Sequence, residues 1–378
     1  MIDSFEFNPS RLSLARRRRG MSKAMLSNET GISLRSLGYY EDRTSEIKPS
    51  EAHTRILANT LKLPVEFFNG PDIEEINPEA VSFRKLSKLP ALQREAALAA
   101  GTFAKELSVW IERKFRLVEP SIPSLRGFNS PEAAAEALRA EWGLGLRPIR
   151  NTVHLLEGYG VRVFSLPVNS HQVDAFSLWH NKPYVFLNPK KSAEHGRFDA
   201  AHELGHLALH KHIVSSRSRE TELEADRFAS AFLMPSGDVS GHVPPARTIS
   251  VKTIHKLKRR WGVSAMALVH RIHDLKIISD WQYRGLCIEL STDGYRSGEK
   301  DGIQRDTSQV LEKVFSALRS EGITRGRIAR ELGFTAAEID SLLIGLVIAS
   351  VSSSISPSGS EIPSTTTEPP TRPKLTVV

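Results

Sequence analysis

The stretch FDAAHELGHLALHK, residues 198–211, decides how the rest of the chain is read. It contains His202-Glu203-Leu204-Gly205-His206. On a helix, side chains four residues apart stack on one face, roughly 6 Å from each other. That spacing lets His202 and His206 share one tetrahedral metal ion. It also sets Glu203 beside the metal, where it can take a proton from water. Phe198, Ala201, His202, Gly205 and Leu209 fall on one face, so the histidines look inward from a buried stripe, and Gly205 admits a close neighbour. The plain alternative is a pair of packed histidines with Glu203 as a solvated charge.

A hydrolytic zinc site needs a third protein ligand and an open position for water. His210 lies about 12 Å along the helix from His202 and is turned away, so it does not converge. His212 falls at the metzincin spacing, but Leu209 stands where that motif has glycine. Glu222 is better placed. Residues 220–234 read as a second helix, with Glu222, Ala225, Asp226, Ala229 and Leu233 on one face. One carboxylate can then ligate the metal, while the other, a turn later, orients a ligating histidine through its free ring nitrogen, the logic seen in gluzincins. Glu222 is read as the ligand and Asp226 as the orienting acid. Glu224 points elsewhere and reads as solvated.

The surrounding chain has 378 residues, too many for one ordinary core. A net charge of +8 is compatible with an acidic partner such as nucleic acid. The single cysteine, Cys287, excludes an internal disulfide framework and a cysteine-based zinc site, which fits a reducing cytoplasm. The first residues, MIDSFEFNPS, carry acids and no apolar core, so a secretory signal is not expected. The apolar run 342–351 is too short to span a bilayer, and no membrane role is expected.

Residues 8–70 read as an all-helical unit. Helix starts fall at Pro9-Ser10, Ser22, Ser33, Ser50 and Pro64, each a cap or first-turn residue. Gly31 permits a left-handed turn, and Ser33 caps the helix that follows. The letters Met21-Ser22-Lys23-Ala24-Met25-Leu26-Ser27, Gly31-Ile32-Ser33, Tyr40-Glu41, Pro49-Ser50 and Leu61-Lys62-Leu63-Pro64-Val65-Glu66-Phe67-Phe68 resemble the XRE-type, Cro-like helix-turn-helix family. The resemblance covers about 60 residues. It implies that the helix from Ser33 enters the DNA major groove, with Arg35, Ser36 and Tyr39 reaching bases and Lys23 and Ser33 on phosphate. Two positions depart from the family pattern: Lys23 stands where glutamine is usual, and Gly38 weakens the helix by about 1 kcal/mol relative to Ala. Glu41 is expected to pair with Arg16. The run Arg16-Arg17-Arg18-Arg19 reads either as a solvated helix face or as a phosphate contact. Residues 1–70 hold eleven Lys and Arg against eight Asp and Glu, a modest excess, so a homodimer on a two-fold operator is expected.

Residues 71–127 read as a helical connector. Their stripe Leu92, Ala96, Ala99, Phe103, Leu107, Trp110, Ile111 and Phe115 serves either core packing, the preferred reading, or a dimer. From Phe128 a new domain is expected, to residue 280, with helices at 131–142 and 149–157. A small antiparallel sheet follows from 161–166, 175–179 and 184–188, with residues 175–178 as an edge able to bind an extended peptide. Residues 250–276 are basic and helical, read as a solvated face ahead of a DNA contact. Residues 281–300 read as a strand and loops within a helical region, 281–349. A second helix-turn-helix pattern near 323–338 reads as a plain helical hairpin. The Ser/Thr/Pro-rich tail, 350–378, reads as disordered. The fold class is therefore α+β: mainly helical, with one small sheet.

Three strings carry a second resemblance: Arg197-Phe198-Asp199-Ala200-Ala201-His202-Glu203-Leu204-Gly205-His206, then Glu222-Leu223-Glu224-Ala225-Asp226-Arg227-Phe228-Ala229, then Phe232-Leu233-Met234-Pro235. Together, over residues 128–275, they resemble the ImmA/IrrE family of metallopeptidases. The resemblance implies zinc on His202, His206 and Glu222, with Glu203 as general base. It also implies that the peptidase cuts or regulates a repressor of the same helix-turn-helix type. The expected function is a DNA-binding transcriptional regulator whose zinc peptidase cleaves such a repressor, itself or a partner. The alternative is a DNA-binding regulator whose zinc domain senses or holds structure without proteolysis. For the oxyanion, His195, Tyr184 and Arg227 are the candidates.

Overall fold

The serines set ahead of apolar runs act as caps. Ser22, Ser33 and Ser50 accept hydrogen bonds from the backbone N–H of Met25, Ser36 and His53, at 3.1, 3.0 and 3.2 Å. A computed structural model describes residues 7–78, 90–166, 173–211, 219–295, 299 and 301–347. His212 and the tail from 350 lie outside the described residues. The first five helices are α1 (Pro9–Arg18), α2 (Lys23–Thr30), α3 (Leu34–Glu41), α4 (Glu51–Leu61) and α5 (Val65–Phe68). Between α2 and α3, Gly31 takes φ +72° with no Cβ to clash, which lets the chain turn within three residues. Leu12, Ala15, Leu26, Leu37, Leu57, Leu61 and Phe67 close the core beneath.

The long amphipathic stretch forms α6 (Ala91–Glu112). It packs on α1, and Ala97, Phe103, Leu107 and Ile111 are buried, so the stripe serves internal packing. The helices α7 (Pro131–Glu141) and α8 (Thr152–Gly158) follow, capped by Ser130 and Asn151.

The strands are β1 (Arg162–Ser165), β2 (Ala175–Trp179) and β3 (Pro183–Leu187). The expected antiparallel sheet is a mixed one, in the order β1-β3-β2. β2 and β3 form the antiparallel hairpin, with Ser177 opposite Val185, while β1 runs parallel to β3, with Val163 opposite Val185. β3 is the central strand, paired on both sides, and β1 and β3 are both buried along their whole length. One face of the sheet meets α6 at Gly101, where an added Cβ would lie 3.5 Å from the rings of Phe176 and Phe186.

On the other face lies α9 (Ala193–Leu209), which carries the histidines, with α10 (Arg219–Leu233) packed along it. Gly205 is the point of closest approach: a Cβ there would come 3.0 Å from the Phe228 ring. α11 (Ser236–His242), α12 (Val251–Trp261), α13 (Ala265–Asp274), α14 (Asp280–Thr292), α15 (Gln309–Ser320), α16 (Arg325–Leu332) and α17 (Ala336–Leu343) complete the fold. The α+β class is as expected: seventeen α-helices and one three-stranded sheet among the described residues. No helix among them is long and apolar enough to cross a membrane.

The expectation of a strand over 281–300 is corrected by α14. Ser279 and Gln282 make a reciprocal capping box, and the buried Leu286 and Leu290 lie one turn apart. In the basic stretch 250–276, much of the charge is taken up internally. Lys258 is buried beside Glu299 at 2.9 Å, Arg260 pairs with Asp238 at 2.7 Å, and Arg271 donates to the Met234 carbonyl. The hairpin of α16 and α17 is the plain one, because Glu338, Ile339 and Leu342 of its second helix are buried.

The run Arg16–Arg19 is neither a solvated face nor a free phosphate contact. Arg16 makes the expected bidentate pair with Glu41, at 2.6 and 2.9 Å. Arg17 pairs with Glu75 at 2.7 Å, Arg18 pairs with Glu338, and Arg19 reaches Glu338 at 3.0 Å. α17 is thus tied to α1 across the whole length of the chain.

Another buried acid caps a helix. The Glu157 carboxylate accepts from the Ser308 hydroxyl and from the backbone N–H of Gln309 and Val310 at the start of α15. Burial pushes its pKa up from 4.5 to about 7, against the opposing pull of these hydrogen bonds. Between those two values the folded chain holds a proton that the unfolded chain has released. Stability therefore falls as pH rises from about 4.5 through 7, by on the order of 3 kcal/mol. Glu157→Gln is expected to flatten that slope in urea titrations at pH 5 and 7.5; an unchanged slope would exclude Glu157 as its source.

Candidate metal centre

The i, i+4 spacing on α9 puts His202 and His206 side by side, both buried, with their Nε2 atoms 3.1 Å apart. α10 brings Glu222 against them: Oε2 lies 3.6 Å from His202 Nε2, and Oε1 lies 3.4 Å from His206 Nε2. One ligand atom from each of the three residues lies within 4.8 Å of the others, the sole such group of three or more among the described residues.

The second ring nitrogens decide what those atoms are. His202 Nδ1 lies 2.8 Å from Asp226 Oδ1, a carboxylate that can only accept, so Nδ1 carries a proton, and in the neutral ring the lone pair is on Nε2. On the other side His206 Nδ1 lies 2.9 Å from His210 Nδ1, and His210 Nε2 lies 2.8 Å from Glu224 Oε2. The Glu224 carboxylate accepts from the Nε2–H of His210. The neutral His210 ring then accepts at Nδ1 from His206, whose Nε2 is left unprotonated. Burial lowers the pKa of His206 and of His210, which favours the neutral rings. With both rings neutral and protonated on Nδ1, the site presents three acceptors turned toward one another. That arrangement is repulsive without a cation, and two imidazoles with one carboxylate are a donor set that zinc takes.

Glu203 is buried beneath β2. The Ser177 hydroxyl donates to its Oε2 at 2.6 Å, which fixes the carboxylate. β2 is an edge of the sheet, as expected for residues 175–178. The structure brings together His202, His206, Glu222 and Asp226, and Glu203 follows His202 on α9 with its carboxylate on Ser177. It does not bring the oxyanion candidates to them. Tyr184 lies on the opposite face of the sheet, near Ser108 and Glu112; His195 is half exposed near Asp174 and Asp199; and Arg227 is exposed on α10.

Three residues escaped the reading of the sequence. Ser177 is a lone polar residue inside AFSLW, which was a usable signal. His210 is rightly outside the metal group, but it backs His206. Glu224, read as solvated, is His210's partner.

The exposed face of α3 carries Ser33, its cap, and Arg35, with Ser36 and Tyr39 half-buried beside them; Arg35 Nε donates to the Tyr39 hydroxyl at 3.1 Å. Lys23 lies 3.4 Å from Glu41. No curated protein matches the chain. Residues 156–273, from the last turn of α8 to the end of α13, match the peptidase family described as the IrrE N-terminal-like domain, and this segment is a metallopeptidase-type module.

Proposed function

We propose that the chain is a cytoplasmic, DNA-binding transcriptional regulator whose metallopeptidase-type module is a zinc-dependent endopeptidase. Its substrate would be a repressor-type protein, its own chain or a partner. The observation that carries the reading is the cluster of three acceptors, His202, His206 and Glu222, next to a general base already held in place by Ser177. His202, His206 and Glu222 would hold the zinc, which when bound supplies a Lewis acid that polarises a peptide carbonyl and acidifies water. Glu203 takes the proton from that water and delivers it to the leaving amine. Ser177 keeps the Glu203 carboxylate oriented for both transfers. An extended substrate pairing with the edge of β2 would run past Glu203, since Ser177 sits midway along that strand.

The DNA-binding half rests on α2, its Gly31 turn and α3, with Arg35, Ser36 and Tyr39 toward bases and Lys23 and Ser33 toward phosphate. With Arg16 to Arg19 engaged internally, few cations remain to contact phosphate, which favours a homodimer on a two-fold operator.

Two measurements test the two halves. Incubation of the zinc-loaded chain with a helix-turn-helix repressor is expected to give discrete fragments whose formation a chelator stops. Full zinc occupancy with no cleavage of the repressor or of the chain itself would leave the non-proteolytic sensor. For DNA, the slope of log affinity against log salt is expected to be shallow, about −1 to −2 per protomer. A flat line removes the phosphate contacts, and a much steeper one shows that the arginine run is released onto DNA.

A further inference from the structure

We infer that His210 and Glu224 form a positioning relay that selects the metal-ligating form of His206. The inference rests on the zinc centre proposed above and adds two residues to it. Each ligating imidazole must keep Nε2 unprotonated and aimed inward, so each needs a partner that holds a proton on Nδ1. His202 has a direct one, the Asp226 carboxylate at 2.8 Å. His206 has an indirect one.

Its Nδ1 meets another imidazole, His210, at 2.9 Å. An imidazole is ambiguous in that place: with its proton on Nε2 it accepts from His206, and with its proton on Nδ1 it donates. In the second case the proton of His206 is driven to Nε2, where it blocks the metal. Glu224 removes the ambiguity. Its carboxylate lies 2.8 Å from His210 Nε2 and can only accept, so it keeps the His210 proton there. The geometry follows from the helices. His210 sits one turn beyond His206, at the end of α9, and Glu224 on α10 is two residues beyond the ligand Glu222. The same helix that supplies the third ligand therefore supplies both outer acids, Asp226 for His202 and Glu224 for His206.

The test reads metal affinity rather than turnover. Zinc dissociation constants are measured on the full-length chain by competition with a chromophoric chelator, and the visible spectrum of the cobalt-loaded chain reports ligand geometry. His210→Ala is expected to weaken zinc binding by about 10- to 100-fold and to shift the cobalt bands. His210→Asn, whose amide oxygen can still accept from His206 Nδ1, is expected to restore part of the loss. Glu224→Ala should weaken binding, and Glu224→Gln, whose amide can donate as well as accept, should fall between Glu224→Ala and wild type. A merely structural role for His210 would show in thermal stability of the metal-free chain without this ordering. If His210→Ala and Glu224→Ala both bind zinc within twofold of wild type while His202→Ala loses it, the relay is wrong and the metal centre stands. If His202→Ala also binds like wild type, the centre itself is wrong, and the relay falls with it.

Discussion

Replacing Glu203 by Gln is expected to lower peptide hydrolysis by about 10²- to 10⁴-fold, with zinc content unchanged. The substitution keeps size and shape. The amide oxygen can still accept from the Ser177 hydroxyl, which lies 2.6 Å from Oε2, so the side chain should stay in its buried place. None of the three metal-facing residues is altered. What is lost is the ability to take a proton from water and return it to the leaving amine. The measurement is single-turnover cleavage of a repressor substrate beside metal analysis of the same sample. Cleavage at the wild-type rate would remove Glu203 from the chemistry. Loss of zinc together with loss of rate would mean that Glu203 supports the metal rather than the proton transfer. Ser177→Ala gives a graded comparison: the carboxylate keeps its basicity but loses a partner that fixes its direction, so a smaller fall is expected.

The parts of this site that were legible in the sequence share a physical origin. His202 and His206 are one helical turn apart, and so are Glu222 and Asp226, so the period of the helix alone predicts which atoms converge. The helix caps were legible for the same reason: Ser22, Ser33 and Ser50 act on backbone groups three residues away. What escaped depends on contacts between segments. Ser177 reaches Glu203 from another element, and Glu224 reaches His210 from the neighbouring helix. The parallel pairing of β1 with β3 likewise joins segments about twenty residues apart, and the local pattern of neither strand encodes it. The helix α14 is hidden in the sequence for a different reason. Trp281, Tyr283, Cys287 and Ile288 suit a strand by composition, and Trp281 and Ile288 remain exposed, so they obscure the helical spacing of Leu286 and Leu290. The arginine run was the hardest case. Nothing near residue 18 announces that its counter-charge is Glu338.

That ion pair carries the largest expected effect on stability. The Arg18 and Glu338 side chains are 4% and 2% exposed, and Glu338 also takes Arg19 at 3.0 Å. Around them, Phe103 stacks on Phe334 at 4.6 Å and on Phe67 at 5.6 Å, and the Trp110 indole donates to Glu331 at 2.9 Å. Water therefore has little access to the pair. Burial already lowers the pKa of Arg18, and the charge of the Glu338 carboxylate is what chiefly opposes that. Glu338→Ala would leave a buried guanidinium with Ser341 as its remaining polar neighbour, at 2.9 Å. Breaking one side of such a pair costs about 3–5 kcal/mol, whereas replacing Arg18 and Glu338 together by apolar residues of similar volume should cost much less. Urea unfolding of the full chain distinguishes these cases. A loss below about 1 kcal/mol for the single substitution would mean that Arg18 can swing out to solvent, and that α1 is not held to α17 by charge. A large loss for the single change, recovered in the double one, would place the join between the first and last helices in the core of the fold. The N-terminal helices would then move with the C-terminal ones as one body, rather than on a flexible tether.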